Sequence, residues 1–330
     1  MIIGHQKQWE FLKKCLELNR LSHAYLFSGL ESLGKKNLAI EFVKMINCET
    51  NIAPKEPCQK CANCKAIEKR SFPDLFIAEP SQNANKTKNE EIEEGLISIS
   101  HIRQAQHFLS FLSYYGKWKT VILDQAEKMT HEAQSCLLKT LEEVKGKTIL
   151  ILISSHPEML LPTVYSRCQI IKFFPVSQLE IKDHLIKIGA SQGKAEMLAS
   201  ISQGKPGKAI DFFINEKKLE EKEKFLKEFL EIRGSNYATR FQYVKNVLLP
   251  QYNLHEVLET LQNYFRYVLF LKIGLESSGF VNFPKPDQKF KSYPIPKLEK
   301  IIRTIQTFDF LTFSTNLNPK LALEVLMLEI

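Results

Sequence analysis

Short apolar runs and longer amphipathic stretches alternate along the first half of the chain. "AYLFS" (24–28), "DLFIA" (74–78), "TVILD" (120–124), "TILILIS" (148–154) and "QIIKFF" (169–174) have the length and content of strands buried on both faces. Between them, apolar residues recur at helical spacing: Leu38, Phe42 and Ile46 in "KKNLAIEFVKMIN", then Ile102, Ala105, Leu109 and Leu112 in "ISHIRQAQHFLSFL". "THEAQSCLLKTLEEV" predicts another helix, with Thr130 placed as its N-cap. Such alternation argues for a parallel sheet covered by helices on both faces. The polar, patternless "SQNANKTKNEEIEEG" (81–95) is expected to be an exposed loop.

After Pro175 the strand pattern stops. Residues 177–214 predict a few short helices punctuated by Gly189, Gly193, Gly204 and Gly207. "NEKKLEEKEKF" (215–225) reads as a linker or the solvated start of a helix. The remainder is helical in pattern, with an interruption at "FVNFPKPDQKFKSYPIP" (280–296), and no internal repeat is evident. The expected organisation is an α/β domain over 1–175, a small helical domain over 176–214 and an all-α domain over 215–330.

Composition narrows the setting. A chain of 330 residues calls for two or three domains, and 44% hydrophobic with 25% charged residues is ordinary for a globular protein. No apolar run approaches the roughly 20 residues of a membrane span, and "MIIGHQKQWEFLKKC" turns charged at once, so neither a secretory signal nor a membrane partner is expected. The net charge of +8 permits nucleic-acid contact, but it is spread thinly: residues 215–330 carry 17 Lys+Arg against 14 Asp+Glu. Three of the seven cysteines crowd into "CQKCANC", which points to a metal in a reducing cytoplasm and away from a disulfide framework.

Four features carry candidate chemistry. In "GLESLGKKNLA" (29–39), Gly29, Gly34 and Lys35 match a phosphate-binding loop of the form G-x-x-x-x-G-K-[ST], between a predicted strand and a predicted helix. The position that should carry a hydroxyl for Mg²⁺ is Lys36, which has donors and no acceptor. The second nucleotide motif, an apolar strand ending in an acid, is met by Asp124. The carboxylate that should follow, to orient the attacking water, is replaced by Gln125, and Glu127 is expected to turn away. Phosphate binding stays plausible on this pattern, while metal-assisted hydrolysis loses two parts. Arg167, in "LLPTVYSRCQ", is either a salt-bridged surface residue or an arginine finger given to a neighbour's nucleotide. Cys48, Cys58, Cys61 and Cys64 form C-x9-C-x2-C-x2-C, a spacing from which four thiolates converge on a closed, structural Zn²⁺ site. Cys15, Cys136 and Cys168 read as small core residues.

Taken in order, "HAYLFSGLESLGKKNLA", the cysteine cluster, "SISHIRQ", "VILDQAEKMTHEAQSCLLKTLEE", "LLPTVYSRCQ", "GKPGKAI" and the closing "NLNPKLALEVLML" resemble bacterial clamp-loader subunits of DNA polymerase III, delta-prime-type members of the AAA+ family. The resemblance spans essentially the whole chain and is weakest over 215–300. It implies an AAA+ P-loop sheet with an inserted zinc module, a helical lid and a helical collar. The partners it implies are the ATP-hydrolysing gamma/tau subunits, the delta subunit, the sliding clamp and primed DNA. By position, Arg167 becomes the finger for an adjacent gamma/tau site, and the four cysteines become zinc ligands. Motor subunits of this family carry a hydroxyl at position 36, a carboxylate at 125 and a sensing Arg where Gly207 stands. The three departures imply a subunit that does not burn ATP, and whose own nucleotide site stands doubtful. Ser154 and Ser155 are candidates for a polar sensing position after the fourth strand. Two alternatives remain: a gamma/tau-type ATPase that tolerates Lys36 and Gln125, and a zinc-dependent nucleic-acid-binding module.

Overall fold

The computed structural model describes residues 2–50, 56–80, 95–143, 146–232, 234–248, 252–275, 292–314 and 317–330. Residues 81–94 of the exposed loop expected at 81–95, and most of the interruption at 280–296, lie outside them.

Five strands form one parallel sheet: β1 Ala24–Ser28, β2 Leu75–Ala78, β3 Lys119–Leu123, β4 Thr148–Ser154 and β5 Gln169–Lys172, in the order β2-β3-β4-β1-β5. β1 and β4 run in register from Ala24↔Leu150 to Ser28↔Ser154. Alternate residues divide between two cores, as the pleat requires. Tyr25, Phe27, Ile151 and Ile153 pack with helices α1 (Gln6–Glu17) and α2 (Lys35–Asn47) through Trp9, Leu12, Leu38 and Phe42. Ala24, Leu26, Leu150 and Leu152 pack with α4 (Ile99–Ser110) and α5 (His131–Glu142) through Ile102, Ala105, Leu137 and Leu141. The near-continuous apolar strands follow from this double burial. A short α3 (Ala62–Glu68) precedes β2, and a single turn α6 (Pro162–Tyr165) precedes β5. Thr130 caps α5 as expected, its hydroxyl accepting the Ala133 N–H.

Beyond β5 every described element is helical: α7 Gln178–Lys187, α8 Gln192–Ile201, α9 Pro206–Ile214, α10 Glu216–Ile232, α11 Tyr237–Tyr243, α12 Leu254–Lys272, α13 Ile295–Ser314 and α14 Pro319–Glu329. The charged stretch 215–225 is no linker; it opens α10, whose later turns bury Phe225, Leu226 and Phe229. These join Leu258, Leu261, Phe265, Leu298, Ile301, Leu323 and Leu326 in one core. By internal contacts the chain forms two compact units, Met1–His184 with Gly204–Gly207, and Leu185–Gln203 with Lys208–Ile330. The segment 176–214 is thus shared between the units.

Candidate functional site

The carboxyl ends of β1, β3 and β4 meet on one edge of the sheet, the edge where parallel sheets place ligands. After β1 the chain turns through Gly29, where a side chain would strike the Phe173 carbonyl, then Ser32 (φ 59°) and Gly34 (φ 90°), both left-handed. Gly34 leads into α2, so backbone N–H groups and the positive helix end face one open cleft of about 820 Å³. Lys35 is part of its lining, but its ammonium is committed to the loop. Its ammonium folds back onto the loop, donating to the Leu30 carbonyl (2.7 Å), the Gly29 carbonyl and the Ser155 hydroxyl (3.0 Å). Burial pulls its pKa down to about 8, against the opposing charges of Glu127, Glu31 and Asp124.

Lys36 settles what became of the missing metal ligand. Its ammonium lies 2.9 Å from Asp124 Oδ2 and 2.6 Å from Glu79 Oε1, and Arg70 adds a second cation 3.1 Å from the same Glu79 oxygen. Burial opposes ionisation of Glu79, but the Lys36 hydrogen bond and the two positive charges hold its carboxyl below the usual range. Asp124, the acid that would serve Mg²⁺, is neutralised by a tethered ammonium.

Glu127 corrects an expectation, for it does not turn away. Gln125 adopts a left-handed conformation (φ 55°), and a 3-10 turn at Ala126–Lys128 folds the chain back under the sheet edge. Glu127 is buried, its Oε1 accepts the Ser155 N–H at 3.2 Å, and its Oε2 has no hydrogen-bond partner among the described residues. The reversal depends on a backbone torsion at a glutamine, which no residue-type pattern announces. Ser154 is buried and accepts the His156 N–H (3.1 Å), while Ser155 faces Lys35, so only Ser155 lines the cleft. Gly207 closes the cleft's far side: its N–H donates to the Ser32 carbonyl at 2.8 Å, and a Cβ there would lie 2.9 Å from that oxygen. No arginine fits at this place without moving the loop.

The four cysteines gather at the other end of α2, where Cys48 follows its last residue. Their Sγ atoms all lie within 4.8 Å of one another, and Cys58 and Cys64 are 3.9 Å apart. A tetrahedral Zn²⁺ with bonds of about 2.3 Å needs edges of about 3.8 Å, so a small contraction completes the site. The Cys61 N–H points at Cys58 Sγ and the Cys64 N–H at Cys61 Sγ, both at 3.3 Å, the local turn that C-x2-C spacing produces. The Thr50 hydroxyl, with the Lys60 and Cys61 N–H groups, draws the Cys58 thiol down to about 5, and burial pushes Cys64 up. The donor set and its spread fit zinc. Cys15, Cys136 and Cys168, expected in the core, are half-buried; Cys136 lies on the flank of α5 against Gln106 (3.6 Å), and burial pushes Cys168 up to about 12.

Arg167 stands just past α6, its side chain 37% exposed, donating to the Thr163 carbonyl (3.0 Å) and to Glu142 Oε1 (2.6 Å) at the end of α5. It is remote in sequence from the loop residues and is absent from the lining of the cleft. The structure corrects Leu112, expected to continue the helical apolar face of Ile102, Ala105 and Leu109: α4 ends at Ser110, and Phe111, Leu112, Tyr114 and Tyr115 all face solvent.

A phosphate-type loop after β1, an acid after β3, a polar residue after β4 and a helical second unit define a P-loop module of the AAA+ class. The family model for "DNA polymerase III, delta subunit" matches residues 4–177. A delta-prime subunit of DNA polymerase III from Bacillus subtilis is 32% identical over 272 residues, covering 81% of this chain and 78% of that protein. A tau/gamma subunit from Haemophilus influenzae is 32% identical over 187 residues, 57% of this chain but 25% of that protein. Among solved structures, a gamma subunit-related protein from Thermotoga maritima aligns with a TM-score of 0.51 at 17% identity over 97% of each chain, a likeness of fold. The chain belongs to the DNA polymerase III delta-subunit family of clamp-loader proteins, and its fuller match is to a delta-prime member. No helix among the described residues is long and apolar enough to cross a membrane.

Proposed function

We propose that this chain is the non-hydrolysing, delta-prime-type subunit of a bacterial clamp loader, acting in the cytoplasm with gamma/tau and delta subunits to place a sliding clamp on primed DNA. One observation carries the non-hydrolysing part: the Lys36 ammonium lies at 2.9 Å from Asp124, where a divalent cation would otherwise sit. A P-loop enzyme needs that cation to bridge the β- and γ-phosphates and neutralise developing charge. Here the cation is a side chain that cannot move with the phosphates. Gly29, Gly34, Lys35 and Asp124 are then the remnant of a nucleotide site. Arg167 is the group that works, in the ATP site of an adjacent gamma/tau subunit, and the chain contributes to DNA-directed DNA polymerase activity only through the holoenzyme. Residues 176–214 act as the lid, and the helices from α10 onward join the collar. Cys48, Cys58, Cys61 and Cys64 hold a structural zinc.

Phosphate release from ATP by the isolated, zinc-loaded chain tests this first, and none is expected. Turnover that depends on both Lys35 and Glu127 would overturn the proposal. It would favour a gamma/tau-type motor, with the inward-folded Glu127 supplying the carboxylate that position 125 lacks. In a reconstituted loader, Arg167→Ala should assemble normally and slow clamp loading, with turnover at the adjacent ATP site lowered by roughly 10³-fold or more, the scale of a lost finger. Wild-type turnover there would remove Arg167 from the mechanism.

A further inference from the structure

The exposed aromatic group after α4 is held at three points, each by a buried polar side chain. Asp74, 1% exposed, accepts the N–H groups of Tyr114 (2.7 Å), Tyr115 (2.7 Å) and Gly116 (2.6 Å). Asn47, also 1% exposed, accepts the Trp118 N–H on Oδ1 at 2.9 Å. Lys119 donates to the Phe111 carbonyl at 3.0 Å and lies 4.4 Å from the Phe108 ring centroid. Meanwhile Leu112, Tyr114 and Tyr115 are 91%, 77% and 69% exposed. A buried carboxylate and a buried carboxamide are costly unless satisfied. Using both on loop backbone gives a rigid display of side chains that have no internal packing role.

Two of these three anchors flank the cysteine knuckle in sequence. Asn47 immediately precedes Cys48, and Asp74 lies ten residues after Cys64. Asn47 is also fastened to the knuckle directly, because Asn63 of α3 donates to its main-chain carbonyl at 2.9 Å. Its own amide group donates to the Val43 carbonyl (3.3 Å), so both ends of the carboxamide are committed, and a flip would oppose donor to donor. Gly116 passes so close that a Cβ would meet Asn47 Oδ1 at 2.7 Å and Phe72 at 3.1 Å. A second tie binds knuckle to helix: Lys44, buried in α2, donates to Glu41 (2.9 Å), to Gln59 (3.0 Å) and to Glu68 of α3.

We propose that metal bound by the four cysteines fixes the shape of the exposed loop Phe111–Trp118, acting through Asn47. The inference rests on the zinc reading above. Four thiols released from a common ion no longer hold α3 at the end of α2, so the Asn63 bond to the Asn47 carbonyl loosens and the Asn47 carboxamide loses its fixed position, while Asp74 stays with the sheet, its carbonyl accepting the Thr120 N–H at 2.9 Å. The aromatic display then loosens while the sheet, which has its own two cores, stays folded.

Hydrogen exchange of the full chain tests this in three forms: zinc-loaded, chelator-stripped, and zinc-loaded Asn47→Ala. In the stripped chain, amides 116–118 should exchange at least about tenfold faster, with β4 (148–154) unchanged. Asn47→Ala should loosen 116–118 by a similar factor while zinc content stays at one per chain. Wild-type protection of the loop in the stripped chain overturns the coupling to metal, and wild-type protection in the Asn47→Ala chain overturns its route through Asn47. Melting of β4 together with the loop on stripping also overturns it, because the ion then holds the whole unit and not the loop. A chain that never takes up zinc ends the metal reading and this inference with it, whereas zinc uptake with an unmoved loop ends only the inference.

Discussion

The two ends of α2 face the same physical problem and solve it in opposite ways. At the amino end, acids gather where a divalent cation would sit, and the chain supplies the positive charge itself from Lys36. At the carboxyl end, four thiols converge with no cationic side chain among them, and a metal ion bound there would have to come from outside. A tethered ammonium gives a site that is complete on folding and closed to exchange. A thiol cluster gives one that depends on supply and on pH, since each ligand must lose a proton to bind. One helix therefore carries a self-contained end and a dependent end.

The sharpest break in this comparison comes at the dependent end. Cys61→Ser should abolish zinc uptake, from about one ion per chain to none by metal analysis, and lower the unfolding temperature. Structural zinc supplies about 10 kcal/mol or more to isolated fingers, and this larger unit, with two cores of its own, should lose only a few of them. Unchanged stability in a zinc-free variant would show that the knuckle needs no ion.

The self-contained end yields a smaller, pH-dependent effect. Lys35 has its pKa lowered by burial from 10.5 to about 8, so the folded state binds fewer protons than the unfolded chain between those values. Stability contributed by this group therefore rises as pH climbs from about 8 to 10.5, by at most about 3 kcal/mol. The difference between wild type and Lys35→Met, followed by denaturant unfolding across that window, isolates it. A difference that does not change with pH would mean that Lys35 is solvated.

The smallest effect is expected at Lys36. Its side chain is a quarter exposed, so Lys36→Ala should cost about 1–2 kcal/mol, most of it from leaving Asp124 and Glu79 facing each other. Added Mg²⁺ should then recover part of the loss, which it does not do for wild type. Equal Mg²⁺ response in both proteins would undo the idea that the ammonium stands in for a metal.

Much of this comparison was legible from residue order. The central strands β1, β3 and β4 were readable because burial on both faces leaves continuous apolar runs, whereas β2 and β5 are only partly buried, and the loop and cysteine cluster were readable because their chemistry needs fixed spacing. Lys36 and Gln125 announced lost parts for the same reason. Glu127 departs from expectation because its direction follows from one left-handed residue, Gln125, and the backbone of a glutamine carries no spacing signal. Residues 215–225 left linker and helix open, since the charged turns reveal nothing until Phe225, Leu226 and Phe229 find a core.

By itself, then, the sequence determined which elements form, which ligand types are present and which are missing, since these depend on local periodicity and on the chemistry of single side chains. Only the tertiary structure decided that Lys36 reaches Asp124 and Glu79, that Glu127 folds beneath Ser155, that Gly207 rests on Ser32, and that Asn47 ties a cysteine knuckle to an aromatic loop seventy-one residues away. Those pairings join distant segments through the order of strands in the sheet, and strand order is set by how whole faces pack, not by any short stretch of residues.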